Sequence, residues 1–283
     1  MILVCDSGST KADWILGDKG KVAGEFNTIG FNPYFQDADT IENELLNHPE
    51  LLALRDKIES IFFFGAGCSS SERNALISEG LKRVFRKAYI EVNHDVLASA
   101  IATCGDQPGI ACIIGTGSNS CYFDGKDVQP NNYGLGYILG DEASGSYLGK
   151  LLLTHYLYGI LPADLEQQFN EVYGPTSKDY VINHVYKMSG ANVWLASFAQ
   201  FLVDRKDHPW VKEQVLKSFD TFLRLFVCSY PDYKNLDVYF IGSIAWFFRE
   251  LLQEAAAKQN VRTGKIIRKP INDLADYYIR RHA

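Results

Sequence analysis

The sequence predicts an α/β protein built from two similar domains, and three observations carry that prediction. The length of 283 residues corresponds to about two domains. Strand and helix patterns alternate through the first part of the chain, as in layered α/β domains. A strand, a turn of small residues and a second strand, which open the chain, recur from residue 110. We therefore expect an internal duplication.

The elements of the first domain are predicted from apolar runs of strand length and from apolar residues at helical spacing. Glycine, proline and polar residues between these segments predict the turns. The predicted strands are 1–5, 12–16, 22–26, 58–64 and 89–93, and the predicted helices are 39–54, 71–85 and 95–103.

The second domain is predicted to carry a helical insertion. Strands are expected at 110–114, 120–123 and 238–241, and helices at 144–158, 165–172, 177–188, 193–203, 210–228 and 244–259. An amphipathic helix at 273–281 is expected to return to the first domain. The expected domains are therefore residues 1–107 with 268–283, and residues 108–267.

Charge and composition argue against several classes of function. The 28 basic and 34 acidic residues give a net charge of −6, which disfavours a general nucleic-acid or anionic-membrane binder. The apolar runs are far shorter than the ~20 residues of a membrane-spanning helix. The first residues lack the basic region of a secretory signal, and the six cysteines include no CxxC pair. We expect a cytoplasmic protein with reduced thiols, without nucleic-acid or membrane partners.

The turn after the first strand has the composition of a phosphate-binding turn. Gly8 allows backbone N–H groups to face an anion, and Ser9, Thr10 and Lys11 add donors for phosphate oxygens. Asp6 could hold a hydrated Mg²⁺ ion. An ordinary polar hairpin turn is the alternative interpretation. The turn is not a P-loop, because that motif's spacing and its following helix are missing.

The recurrence has a second turn of the same kind. It consists of Gly115, Thr116, Gly117, Ser118 and Asn119. Two such turns, one from each domain, could face each other across a cleft and hold a triphosphate from both sides. Taken alone, this turn is equally well explained as a plain hairpin.

Asp95 follows a predicted strand and precedes a predicted helix. Ligand sites of open α/β sheets lie at the carboxyl ends of strands, where a carboxylate can accept a proton from a substrate hydroxyl. The alternative is a helix N-cap, a position that favours aspartate. A helix N-terminus is expected to lower the pKa of this carboxyl, so its value as a base would come from its position.

Two further segments contain glycine next to polar residues. The segment 134–145 has four glycines together with Asp141 and Glu142, which permits a tight loop beside a ligand; a helix entry capped by Asp141 is the alternative. Gly242 and Ser243 follow the strand 238–241, where glycine would let a flat ring approach the backbone. Taken alone, this second segment is better explained as a simple strand-to-helix turn.

In their order, these motifs resemble those of the sugar kinase/Hsp70/actin superfamily. More narrowly, they resemble the N-acetylglucosamine kinase branch, a group that also contains activators of 2-hydroxyacyl-CoA dehydratases. The resemblance extends to about residue 255. It implies two ribonuclease-H-like domains around a central cleft for ATP and sugar, with ATP and Mg²⁺ as cofactors. It also implies phosphorylation of an N-acetylated amino sugar at its 6-hydroxyl, and it leaves a homodimer open.

The resemblance also implies a role for each motif residue. Asp95 falls on the catalytic base and Asp6 on the metal side. ATP contacts fall on Gly8, Ser9, Thr10, Lys11, Gly115, Thr116, Gly242 and Ser243, and sugar contacts on Asn32, Gly117, Asn119, Gly134, Leu135 and Asp141.

The chain departs from the family pattern at two positions. Leu135 stands where related amino-sugar kinases often carry tryptophan between two glycines, and Ala143 stands where the Gly-Asp-Glu-Gly-Ser pattern has glycine. We expect the smaller Leu135 to leave room for a 3-substituent, as in N-acetylmuramate. The alternative is that Leu135 packs away from the sugar and does not affect the choice of substrate. The rival functions are an ATPase activator of a dehydratase-type enzyme and a non-catalytic sugar or ATP sensor.

Overall fold

The computed structural model describes residues 1–8, 11–129 and 131–282. The chain divides into two compact units. The first contains Met1–Gln107, Asp124–Val128 and the C-terminal segment from Lys269, and the second contains Pro108–Phe123 and Gln129–Arg268. Each unit has its own β-sheet and its own hydrophobic core.

The sheet of the first unit has five strands, β1 (Ile2–Ser7), β2 (Lys11–Asp18), β3 (Lys21–Ile29), β4 (Ser60–Gly65) and β5 (Tyr89–His94). Their spatial order is β3-β2-β1-β4-β5. The first three strands are antiparallel, whereas β1, β4 and β5 run parallel. Ser7 pairs with Gly65 and Gly65 pairs with His94, so the residues that follow these three strands meet at one edge. We call this the carboxyl edge of the first sheet.

Five helices accompany this sheet, α1 (Ala38–Leu46), α2 (Pro49–Leu54), α3 (Ser71–Val84), α4 (Asp95–Cys104) and, at the end of the chain, α14 (Ile271–Arg281). The prediction of one helix over 39–54 is wrong, because Pro49 has no N–H to continue α1 and instead begins α2, with His48 as its N-cap. The last helix packs against α4, β1 and β2. The core centres on large side chains such as Trp14, Phe31 and Phe63.

The sheet of the second unit repeats this arrangement with four strands, β6 (Gly109–Ile114), β7 (Ser118–Phe123), β8 (Asp237–Ile241) and β9 (Arg262–Ile267). Their order is β7-β6-β8-β9, with an antiparallel hairpin β6–β7 and parallel pairs β6–β8 and β8–β9. The same pairings join β2, β1, β4 and β5. The sequence did not predict β9, because Arg262, Gly264 and Lys265 interrupt its apolar pattern.

The second unit also carries the helical insertion that the sequence predicts. Its helices are α5 (Gly136–Leu139), α6 (Gly145–Leu157), α7 (Ala163–Tyr173), α8 (Lys178–Tyr186), α9 (Ala191–Ser197), α10 (Ala199–Val203), α11 (Pro209–Phe226), α12 (Ser243–Phe247) and α13 (Arg249–Lys258). The expected single helices over 193–203 and 244–259 are each divided, at the buried Phe198 and Phe248. The turn α5 was not predicted, since glycines flank it. None of the helices described has the length and apolar character to cross a membrane.

Candidate active site

Two predicted site residues of the first unit, Asp6 and Asp95, lie at the carboxyl edge of its sheet. Asp6 is the penultimate residue of β1, and Asp95 directly follows β5. The intervening β4 pairs with both strands. The charge of Asp95 acts on the pKa of Asp6, so the two carboxyl groups are electrostatic neighbours.

Asp95 is the first residue of α4 and not its N-cap. The N-cap is His94, whose Nδ1 accepts a hydrogen bond from Leu97 N at 3.1 Å. Asp95 Oδ1 accepts from Val96 N at 2.9 Å. Burial raises the pKa of Asp95, although His94 and the backbone N–H groups oppose this effect. The expected lowering of its pKa by the helix terminus is therefore wrong, because desolvation outweighs the helix N-terminus.

Asp6 has a strongly perturbed carboxyl group. Burial, followed by the charges of Asp95 and Asp13, raises the pKa of Asp6 to about 7, against the opposing influence of Lys269. A cation beside Asp6 would remove this penalty. Mg²⁺ commonly uses one or two carboxylates and completes its shell with phosphate oxygens and water. The chemistry of Asp6 fits such an ion, and the described residues gather no group of three or more metal-binding side chains.

Asp13 and Lys269, which no sequence motif indicated, also act on the pKa of Asp6. Asp13 Oδ1 is 2.8 Å from Lys11 Nζ, and its Oδ2 is 2.8 Å from Lys269 Nζ. Burial favours the neutral acid, but the two lysines hold the pKa of Asp13 below its usual value. The sequence held one signal for Asp13: it lies two residues after Lys11, so the two side chains share a face if the segment is a strand. Its pairing with Asp6 is seen only in the structure.

A backbone hydrogen bond joins the two sides of the predicted phosphate-binding turn between β1 and β2. Gly8 N donates to the carbonyl oxygen of Lys11 at 3.0 Å. The predicted ATP-binding residues Ser9 and Thr10 lie outside the described residues. The side chain of Lys11 is held by Asp13 in the pair described above.

Asn32 lies in a loop that is fastened to the end of β1. Phe31 N donates to Ser7 Oγ at 2.8 Å, which fixes the residue before Asn32. Asn32 is only 5% exposed, and its Oδ1 accepts from Tyr34 N at 3.0 Å. This buried amide is therefore held next to the strand that carries Asp6.

In the second unit, the turn between β6 and β7 is tied to Asp141. Ser118 N donates to Asp141 Oδ1 at 3.1 Å, and a Cβ on Gly117 would lie 2.9 Å from Asp141 Oδ2. A side chain at position 117 would displace this carboxylate. Burial raises the pKa of Asp141, an effect that the hydrogen bond from Ser118 partly offsets. The predicted sugar contacts Gly117 and Asp141 are therefore direct neighbours.

The backbone around Asp141 is strained. Asp141 has φ of 60° and Ala143 has φ of 63°, both in the left-handed region that non-glycine residues rarely adopt. The cap of α6 is Ser144, whose side chain accepts from Tyr147 N, so Asp141 does not cap this helix. Strain of this kind is often found at functional sites. Ala143 occupies the position where the family pattern has glycine, the residue that adopts this conformation without strain.

The hydrogen bonds of the turn extend to α6. Gly145 N donates to the carbonyl oxygen of Gly115 at 2.7 Å, and Ser146 N donates to that of Thr116 at 3.0 Å. Thr116 itself is exposed. The first turn of α6 therefore holds the backbone of the predicted phosphate contacts Gly115 and Thr116 by two hydrogen bonds.

The predicted sugar contacts Gly134 and Asn119 are adjacent, since a Cβ on Gly134 would lie 2.9 Å from Asn119 Nδ2. Leu135 follows Gly134 and is 61% exposed. Leu135 therefore does not pack into the core and is accessible for contact with a ligand.

Gly242, a predicted nucleoside contact, lies against the same turn. Its φ is 123°, and a Cβ there would clash with the carbonyl oxygen of Ile114 and lie 3.0 Å from Gly115 N. Ser243 begins α12 directly afterwards. The close approach of β8 and β6 brings the predicted nucleoside and phosphate contacts of this unit together.

An apolar cavity of about 410 Å³ lies elsewhere in the second unit, among α5, α6, α8 and α9. None of the predicted site residues lines it. Lys150 on its wall donates to the carbonyl oxygen of Tyr137 at 3.1 Å.

Comparisons with solved structures agree with this architecture. A Porphyromonas gingivalis protein, provisionally named an N-acetylglucosamine kinase, matches with 100% of each chain covered, 40% identity and a TM-score of 0.93. A Chromobacterium violaceum protein with the same provisional name matches over 98% of each chain, at 16% identity and a TM-score of 0.69. A ROK-family glucokinase from Streptomyces griseus, crystallised with glucose and AMPPNP, matches over 100% of this chain and 98% of its own, at 11% identity and a TM-score of 0.54.

The last two comparisons establish the fold alone. No protein-family model matches the chain, and no curated protein matches it. The two sheets and the structural neighbours define the two-domain actin-like fold of the sugar kinases. With 40% identity over the full length of both chains, this protein belongs to the N-acetylglucosamine kinase family.

Proposed function

We propose that the protein transfers the γ-phosphoryl group of ATP to the 6-hydroxyl of an N-acetylated amino sugar, N-acetylglucosamine or N-acetylmuramate. The observation that carries this proposal is the pair of neighbouring carboxyl groups at the carboxyl edge of the first sheet, Asp95 and Asp6. Asp95 can serve as a base, and Asp6 can face a cation. The likeness to the Porphyromonas gingivalis protein supports the substrate class.

Asp95 is the proposed base. Its carboxylate accepts the proton of the sugar hydroxyl as the hydroxyl oxygen attacks the γ-phosphorus, while the bond from that phosphorus to the oxygen bridging the β-phosphate breaks and ADP leaves. The burial that raises the pKa of Asp95 makes it a better proton acceptor than an exposed aspartate. The hydrogen bond from Val96 N to Oδ1 holds the orientation of this carboxylate.

Asp6 is the proposed carboxylate on the metal side. Mg²⁺ bound there would neutralise charge on the β- and γ-phosphates. Backbone N–H groups of the two small-residue turns would bind the phosphate oxygens. The phosphate contacts in this proposal are Gly8, Ser9, Thr10, Lys11, Gly115 and Thr116, and the nucleoside contacts are Gly242 and Ser243.

The proposed sugar contacts come from both units. Asn32 and Asp141 are buried polar groups at 5% and 8% exposure, and Asn119 adds a second amide. Sites built on buried hydrogen-bonding groups strongly reject analogues that leave those groups unpaired. The other contacts are Gly117, Gly134 and Leu135.

The rival functions are less well supported. A dehydratase activator would hold an iron–sulfur cluster between two subunits with surface cysteines, but Cys104, Cys112 and Cys121 are buried in the cores of their units. A sensor without catalysis has no need of the perturbed Asp95. The neighbours named as sugar kinases do not favour either alternative.

The test is ADP release with Mg²⁺ and a panel of N-acetylglucosamine, N-acetylmuramate, glucosamine and glucose. We expect turnover with the N-acetylated sugars, and phosphorus NMR of the product should show a 6-phosphate. Release with glucose alone, or with no sugar, contradicts the proposal. Iron content of the purified protein tests the activator, and light scattering tests whether the chain is a homodimer.

A further inference from the structure

Arg73, in the first turn of α3, is held rigidly by two neutral hydroxyl groups. Its Nη1 donates to Tyr34 Oη at 2.8 Å, and its Nη2 donates to Ser69 Oγ at 2.7 Å. The guanidinium also lies over the Tyr34 ring, 4.6 Å from the centroid. These contacts fix the plane of the cation without cancelling its charge.

The charge of Arg73 has no acidic partner among the described residues, and its buried Nε has no hydrogen-bond partner there. The other arginine of the same helix behaves differently: Arg83 contacts Asp39, Glu42 and Glu79. A half-buried cation is usually paired, because removing it from water without a counter-charge is costly. The guanidinium of Arg73 is therefore available to a negatively charged group that reaches this partly exposed position.

The two hydroxyl groups add donors to the same place. Because Tyr34 Oη and Ser69 Oγ each accept from the guanidinium, their own protons point elsewhere, and neither has an acceptor among the described residues. A guanidinium flanked by two outward O–H donors matches the acceptor-only chemistry of a carboxylate.

This cluster adjoins the proposed sugar-binding residue Asn32. Tyr34 N donates to Asn32 Oδ1, so the ring that supports Arg73 is two residues from that buried amide. Cys68 provides a second link. Burial, together with the charge of Asp95, raises the pKa of its thiol to about 12, and the charge of Arg73 opposes this rise. Arg73 and Asp95 therefore both act on the same buried sulfur at the carboxyl edge.

We propose that Arg73, Tyr34 and Ser69 form a subsite for a carboxylate carried by the amino sugar, so that the preferred substrate is an acidic N-acetylhexosamine. This inference rests on the proposed function. The lactyl ether of N-acetylmuramate presents a carboxylate of this kind. Arg73 is a specificity-determining residue in this proposal and takes no part in the transfer of the phosphoryl group.

The test compares kcat/KM for three sugars: N-acetylmuramate, its uncharged methyl ester and N-acetylglucosamine. The wild type should favour the acid over the ester, and the preference should shrink as KCl increases, because salt screens the charge. In Arg73→Gln, kcat/KM for the acid should fall ~10–100-fold, the range for a lost charge-assisted hydrogen bond. The value for N-acetylglucosamine should stay within about threefold.

Two further variants separate charge from structure. Arg73→Lys keeps the charge and should retain part of the preference, since the ammonium lacks the fixed fork of the guanidinium. Tyr34→Phe keeps the ring but removes one donor and should weaken binding of the acid only. Equal use of acid and ester by the wild type overturns the proposal. An equal loss for all three sugars in Arg73→Gln also overturns it, because that result indicates a purely structural role.

A binding measurement distinguishes failure of this proposal from failure of the proposed function. Calorimetric titration with N-acetylmuramate and with its methyl ester requires no turnover. Tighter binding of the acid to the wild type than to Arg73→Gln supports the subsite even if no sugar is phosphorylated. Equal binding of acid and ester refutes the subsite even if N-acetylglucosamine is phosphorylated.

Discussion

Asp6, on β1, and Asp95, directly after β5, are electrostatically coupled: after burial, the charge of Asp95 is the largest cause that raises the pKa of Asp6 to about 7. Two such carboxyl groups repel each other when both are ionised. A bound cation would relieve this repulsion at Asp6 and leave Asp95 ionised to accept a proton. The coupling therefore connects the proposed metal side to the proposed base.

Asp95→Asn should lower kcat by ~10²–10⁴-fold, the range for a lost acid–base group. The amide keeps the shape of the side chain, so the KM for the sugar should change little. Because burial already penalises the charge of Asp95, the melting temperature should stay the same or rise. Near wild-type turnover in a folded variant would remove Asp95 from the mechanism.

Asp6→Asn should stabilise the protein at pH 8 in the absence of Mg²⁺. The pKa of Asp6 rises from 3.8 to about 7 on folding, so its contribution to stability is full below about pH 4. That contribution is lost as the pH rises to about 7. Above pH 7 the buried, ionised Asp6 lowers the free energy of unfolding by a few kcal/mol. This follows from ~1.4 kcal/mol for each unit by which its folded pKa exceeds its unfolded pKa.

Thermal denaturation measures this effect. We expect a rise in melting temperature of a few degrees for Asp6→Asn at pH 8 and a smaller rise at pH 5. Asp18→Asn, at the far end of β2, is the control and should change little at either pH. A lower melting temperature for Asp6→Asn at pH 8 would contradict the raised pKa of Asp6.

The Mg²⁺ requirement should depend on pH through Asp6. Protons compete with the cation for this carboxylate below its pKa of about 7, so the Mg²⁺ concentration for half-maximal activity should increase as the pH falls from 7.5 to 6. ATP itself is also protonated over this pH range, and the Mg²⁺ requirement of the residual activity of Asp6→Asn measures that contribution separately. A requirement that changes equally in both proteins would argue against Asp6 on the metal side.

Gly242→Ala should disrupt the second unit. The new methyl group would clash with the carbonyl oxygen of Ile114, at a φ of 123° that alanine does not tolerate. We expect a loss of ~3 kcal/mol or more in the free energy of unfolding and a higher KM for ATP. Gly115→Ala is the matched control, because a Cβ at that position meets nothing within 4 Å. Equal melting temperatures for the two variants would refute the steric argument.

Leu135→Trp tests the departure from the family pattern. Leu135 is 61% exposed, so an indole fits without repacking the core and stability should be unchanged. If this residue faces the sugar, the larger ring should lower kcat/KM for N-acetylmuramate relative to N-acetylglucosamine by about tenfold or more, the scale of a steric misfit. An unchanged ratio would mean that Leu135 lies away from the sugar.

Local signals explain why much of the site could be predicted from the sequence. Asp6 and Asp95 were identified because each lies at a strand end, a position set by apolar runs of a few residues. Other predictions were wrong or missing where residues distant in the sequence determine the local structure or the pKa. The strand β9 is weak in sequence and exists because β8 pairs with it. The pKa of Asp95 follows its burial, to which several elements contribute, and not the helix terminus beside it.

By itself, the sequence determined the order of most strands and helices, the repeated hairpin and the small-residue turns, because periodicity and turn chemistry act over short distances. Only the tertiary structure decided which groups face those turns. Lys269 pairs with Asp13 although 256 residues separate them in the sequence, and Arg73 donates to Tyr34, which lies outside its helix. Such pairings depend on strand register and helix packing, which no local pattern encodes, and they determine the charge that a substrate meets.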